Sequence, residues 1–112
     1  MTLDRVRRFA LSLPETTEEP HFDRTSFRVR HKIFATALPD DPYLNVFVDD
    51  EQTDRALCQH PGFLELLVWG KRTGGVRVFL PDAIPSVVDA LLVQAWSRRA
   101  PKRLVARQAQ AS

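Results

Sequence analysis

Sulfur is nearly absent from this chain of 112 residues: Cys58 is the only cysteine, so no disulfide can form within it. A reducing, cytoplasmic setting is the corresponding expectation. Long apolar runs are missing too. The longest stretch without a charged residue, Ala56 to Leu64, is nine residues and includes His60, well short of the roughly 18 that a membrane span needs. The first residues carry Asp4, Arg5, Arg7 and Arg8 within a helical pattern, not the apolar core and cleavage site of a secretory signal. No internal repeat is present. Zinc-finger spacing, a helix-turn-helix, an RNA-recognition signature and a Walker or dinucleotide glycine motif are all lacking.

Apolar residues make up 44% of the chain, ordinary for a globular protein, and the length suits a single domain over residues 1–112. The net charge is only +2, from 16 basic and 14 acidic residues, but the charges are segregated. Thirteen of the basic residues are arginine, whose planar fork matches carboxylate and phosphate. Between Ser97 and Ser112 lie Arg98, Arg99, Lys102, Arg103 and Arg107 with no acidic residue. Acidic residues gather instead at Glu15 to Glu19, Asp40 to Asp41 and Asp49 to Asp54. Such segregation permits a basic face on a nearly neutral protein, and a basic face attracts polyanions.

Thr2 is a suitable N-cap for a helix whose stripe is Leu3, Val6, Phe9, Ala10 and Leu13, and Pro14 ends it. The segment from Pro14 to Arg24, with its glutamates and prolines, reads as a loop. Thr25 to Arg30 and Lys32 to Leu38 read as two strands of a tight hairpin, with Phe27 and Val29 inward and the alternating arginines outward. Tyr43 to Val48 is a third strand. Asp49 with Gln52 resembles a capping box for a short helix reaching about Gln59, before Pro61-Gly62. Phe63 to Trp69 and Val76 to Leu80 are two further strands, joined by a cationic, glycine-rich wing over 70–75. Ser86 is positioned to cap a last helix carrying Val88, Leu91, Leu92, Ala95 and Trp96, and the tail from about residue 106 is expected to be mobile. The predicted fold is therefore α+β: a compact sandwich in which an antiparallel five-stranded sheet has helices on one face, in the order α-β-β-β-α-β-β-α.

Four segments carry a family resemblance: EEPHFDRTSFRVRHKIFATAL (Glu18 to Leu38), HPGF (His60 to Phe63), WGKRTGGVRVFL (Trp69 to Leu80) and AWSRRAPKRLVA (Ala95 to Ala106). As a set, in this order, they resemble the MmcQ/YjbR-like family of small bacterial proteins across almost the whole chain. The resemblance implies a compact fold related to a double-wing DNA-binding architecture, also compared with the frataxin-like sandwich. It implies DNA binding only by analogy of fold, which does not fix a function. The chain departs from the family pattern at His31, where the tight turn often has glycine, and at Gly74-Gly75, where an aromatic often precedes the last strand. Iron binding in the frataxin manner needs carboxylates on the first helix; here that helix presents Arg5, Arg7 and Arg8 against Asp4.

The leading expectation is a DNA-binding protein that contacts phosphate through Arg28, Arg30, Lys32, Lys71, Arg72 and Arg77, with no base-reading signature. The alternative is a module that binds an acidic protein or a small anionic ligand on the same arginine-bearing sheet. Catalysis ranks third. His21 with Asp23, and Cys58 with His60, lack the spacing of metal ligands or of a nucleophile and its base. No enzyme activity, metal or cofactor is therefore expected. Trp96 belongs to the core stripe of its helix, and Trp69 borders the glycine-rich wing.

Overall fold

The computed structural model describes residues 1–69 and 72–111. Its elements run α1 (Leu3–Ser12), β1 (Thr16–His21), β2 (Arg24–Val29), β3 (Lys32–Ala37), β4 (Tyr43–Val46), α2 (Asp50–Gln59), β5 (Leu64–Trp69), β6 (Arg72–Phe79), α3 (Pro85–Arg99) and α4 (Lys102–Ala111), with a short 3-10 turn at Leu80–Asp82. All strands join one antiparallel sheet in the order β1-β2-β3-β4-β6-β5. The α+β class stands. The sheet has six strands rather than five, and the addition is β1, in the segment read as loop. TTEEPH offers no apolar alternation to betray a strand; as an edge strand it pairs on one side only and so accommodates Pro20.

The local chemistry behind the other elements is mostly as the residues dictate. Thr2 caps α1 by accepting the Arg5 N–H, and Asp49 caps α2 by accepting the Gln52 N–H. Arg30 and His31 both take positive φ, 51° and 68°, the twist a two-residue hairpin turn requires. The turn therefore forms without the glycine common at the His31 position. Helix α3 starts one residue earlier than Ser86: Pro85 is its first residue, Ile84 stands at the cap, and no side chain caps it. The segment expected to be a mobile tail is helical. Helix α4 continues to Ala111, and Leu104 anchors it in the core with no exposed surface. Finally, the wing is shorter than the sequence suggests, because β6 begins at Arg72 and takes in Gly74 and Gly75.

One hydrophobic core runs from Val6 of α1 to Leu104 of α4. Phe27, Val29, Ala35, Ala37, Leu44, Val46, Val76 and Val78 supply it from the sheet; Val88, Leu91, Leu92, Ala95 and Trp96 supply it from α3. Trp96 is fully buried and donates its indole N–H to the Pro14 carbonyl at 3.1 Å, tying α3 to the end of α1. A bulge opposite Phe27 and Arg28 puts Phe34 out of the pairing and into the core. The alternation that sends these residues to the helices leaves the other face of the sheet open. That open face is where the polar chemistry collects.

Candidate functional site

Strand registers place one residue from each strand in a single row across the open face. Glu19 pairs with Ser26, Ser26 with Thr36, Thr36 with Asn45, Asn45 with Arg77, and Arg77 with Glu65. In strand order the row reads Glu19, Ser26, Thr36, Asn45, Arg77, Glu65, all polar, in a sheet whose other face is apolar through its central strands β3, β4 and β6. Its centre is tightly built. Ser26, Thr36 and Asn45 are no more than 6% exposed, and buried polar groups of this kind require partners. Ser26 Oγ donates to the Glu19 carbonyl and accepts from Arg28 Nε, and Asn45 Nδ2 donates to Thr36 Oγ1.

Beside the β5 end of this row lies a concavity of about 350 Å³. Asn45 sits at its floor, Arg24 and Arg77 line it, and Glu65, Leu66, Leu67 and Val68 supply the β5 wall. Arg77 is held in place: Nη1 donates to Glu65 Oε1 at 2.6 Å, and the guanidinium lies 3.5 Å from the centre of the Tyr43 ring. A second hollow of about 280 Å³ lies across the Arg77–Glu65 pair, lined by Tyr43, Phe63 and Phe79 among others. The ion pair therefore divides a polar hollow from an aromatic one. The Arg24 guanidinium has no ion-pair or hydrogen-bond partner among the described residues. Two residues before it, at the β1–β2 turn, Phe22 is 93% exposed at a φ of 59°.

Of the six cations expected to face phosphate, the four whose side chains are described do not share one face. Arg28 is on the open face, where it bonds Ser26 and the Pro20 carbonyl. Lys32 pairs with Val29, a core residue, and so leaves the sheet on the opposite side from Arg28. Arg30 is engaged by Glu15 through two hydrogen bonds, Nε at 2.7 Å and Nη2 at 3.2 Å. Arg77 is engaged by Glu65 as described. Lys71 and the side chain of Arg72 lie outside the described residues, as does the side chain of Trp69. The residues that sequence reasoning missed are Arg24, Asn45 and Glu65. They are far apart in the chain: the β4–β6 and β5–β6 registers bring Asn45 and Glu65 to Arg77, and Arg24 reaches the same hollow from β2.

Carboxylates meet arginines elsewhere as well. Arg5 grips Asp89 with both terminal nitrogens, linking α1 to α3, and Arg7 grips Glu18 while also bonding Asp4. Burial pushes the Glu18 carboxyl up, but hydrogen bonds from Arg7 and Thr25 outweigh it and hold the group below the ordinary carboxylate range. Glu15 is likewise held low, chiefly by the Arg30 hydrogen bond, with the charges of Arg30, Arg103 and Arg107 adding to it. Three cations thus surround one carboxylate at the β2–β3 turn. Among the described residues no cluster of three or more histidine, cysteine or acidic side chains is arranged to hold a metal ion. Among the described residues no helix is long and apolar enough to cross a membrane.

A family model described as YjbR matches residues 11–98. Among solved structures, the chain is similar to the crystal structure of the Deinococcus radiodurans protein DR2400, with domain DUF419. The TM-score is 0.74 at 20% identity, over 85% of this chain and 75% of that one; likeness at that identity shows a shared fold. Among curated proteins none matches.

Proposed function

The chain belongs to the YjbR family, and from that premise we propose that it is a binding module for a small organic anion, seated on the open face of the sheet. The observation that carries this reading is the convergence of Arg24, Asn45 and Arg77 on one hollow of about 350 Å³. That is the size of a small-molecule site. Arginine forks and a carboxamide are the donors that fix a carboxylate or a phosphate monoester. Glu65 sets Arg77 in position and leaves most of its five donors unused. The neighbouring hollow, with Tyr43, Phe63 and Phe79, suits the apolar or aromatic body of such a ligand. Guanidinium and carboxamide groups hold anions but do not relay protons near neutral pH, so binding rather than catalysis is the role proposed.

Calorimetric titration with phenyl phosphate, benzoate and inorganic phosphate tests this. The ring-bearing anions are expected to bind more tightly than inorganic phosphate, and Arg24→Glu to abolish the heat. Equal, weak responses that Arg24→Glu leaves unchanged would remove the proposal.

Duplex DNA is the second reading, supported by a different place in the molecule. Around Glu15, Arg30 is joined by Arg103 and Arg107, whose charges act on the same carboxylate. This end of the sheet therefore keeps a surplus of positive charge, although Arg30 itself is paired. If Arg30, Arg103 and Arg107 each meet one phosphate, log affinity should fall with log salt at a slope of about −2.7, from about −0.9 per contact. Fluorescence anisotropy on a labelled duplex across a salt series measures it. Charge reversal at Arg103 and Arg107 should flatten the slope, whereas Arg24→Glu should not.

A further inference from the structure

The two edges of the sheet differ in a way that the anion site does not explain. At one edge, β1 carries Glu18, Glu19 and Pro20; charge and a residue without an N–H are the usual means of blunting an edge against pairing. At the other edge, β5 has the sequence LELLVW, with neither proline nor lysine. Its one charged residue, Glu65, is already neutralised by Arg77 across the β5–β6 pair. Leu66 and Val68 are 44% and 58% exposed there. Two residues apart on a strand, they share a side of the sheet.

We infer that β5 is the interface of a symmetric homodimer, in which two copies pair β5 to β5 antiparallel and continue the sheet from one molecule into the other. Backbone direction and side-chain exposure together specify the register. Phe63 turns its carbonyl toward β6, where it accepts the Phe79 N–H. Alternation then turns Glu65 toward β6, and turns the amide groups of Leu66 and Val68 toward the outer edge. Outward groups must face outward groups, and of the registers that allow this, the one that sets each exposed apolar side chain against another puts the two-fold axis at Leu67, with Leu66 opposite Val68 of the second copy. Each such pair exchanges two backbone hydrogen bonds and brings two exposed apolar side chains together. The same pairing cannot propagate, because the remaining edge is the blunted β1. A closed dimer results rather than a filament. A single strand edge buries less than a standard interface, so the dimer should be weak, with a dissociation constant on the order of 10–100 μM.

Sedimentation velocity over a concentration series, with amide hydrogen exchange at both extremes, tests this. The mass is expected to rise toward twice the monomer's, and the Leu66 and Val68 amides to gain protection with concentration while that of Leu67 does not. Val68→Lys should hold the protein monomeric, and Thr17→Lys on the opposite edge should leave the dimer intact. Leu66→Glu serves as a second disrupting variant, with circular dichroism checking that each variant folds. A wild-type protein that stays monomeric throughout, or a dimer that survives both Val68→Lys and Leu66→Glu, would overturn the inference. Because Leu66 and Val68 also line the hollow, phenyl phosphate binding is measured on the wild-type protein at concentrations where it is monomeric, which keeps the dimer and the anion site separately readable.

Discussion

At the scale of single residues, Gly75 is the least replaceable position that the structure identifies. Its φ is 118°, and a Cβ there would lie 2.1 Å from the Val46 carbonyl oxygen. The cause is a bulge: Leu66 pairs with Val76 and Val68 with Thr73, so β6 spends one more residue than β5 over the same step. Gly75→Ala should therefore cost about 3 kcal/mol or more, measured by urea unfolding. Gly74→Ala, with nothing within 4 Å of the added carbon, should stay within about 1 kcal/mol of wild type. Both glycines look alike in the sequence, where they read as parts of one flexible wing. What separates them is the approach of β4, a contact between distant segments that no local pattern announces. Phe27, Val29 and Trp96 are the opposite case: alternation or helical spacing assigns each to the core, and each is fully buried.

At the scale of elements, the hairpin of β2 and β3 and the stripes of α1 and α3 were legible, because each depends on periodicity within one segment. Strand β1 was not; it is held by its antiparallel pairing with β2 and, beyond that, by ionic contacts. Glu18 accepts from Arg7 of α1 and from Thr25 of β2, so a single carboxylate joins helix, edge strand and neighbouring strand. This attachment depends on pH. The folded-state pKa of Glu18 lies below its ordinary 4.5. Its contribution is therefore complete above that value and is lost as pH falls through the lower folded one. Stability measured by urea unfolding should hold from neutral pH down to about 4.5 and decline below it, and Glu18→Gln should lose stability at neutral pH while showing a shallower decline. Equal pH profiles for wild type and variant would contradict that role. Helix α4 was missed for a related reason: it has few apolar residues, and its anchor, Leu104, matters only once a core exists to receive it.

At the scale of the whole molecule, the sequence showed that arginines dominate the basic residues but not which of them remain available. Folding pairs Arg5, Arg7, Arg30, Arg55 and Arg77 with carboxylates. Exposed pairs of this kind add little stability, yet they decide where positive charge persists. Among the described residues Arg8, Arg28, Lys32, Arg98, Arg99 and Lys102 also form no ion pair, but two places stand out by their neighbours, the hollow beside Arg24 and the β2–β3 turn near Arg103 and Arg107. The first is concave and offers convergent donors; the second is an exposed surface suited to a larger polyanion. The central claim is that the hollow, not the turn, is the primary ligand site. It is tested most directly by amide chemical-shift mapping with phenyl phosphate. The account predicts saturable shifts confined to Arg24, Asn45, Leu67, Arg77 and their strand neighbours, and absent in Arg24→Glu. Shifts centred instead on Arg30, Arg103 and Arg107, or scattered over the surface without saturation, would contradict it.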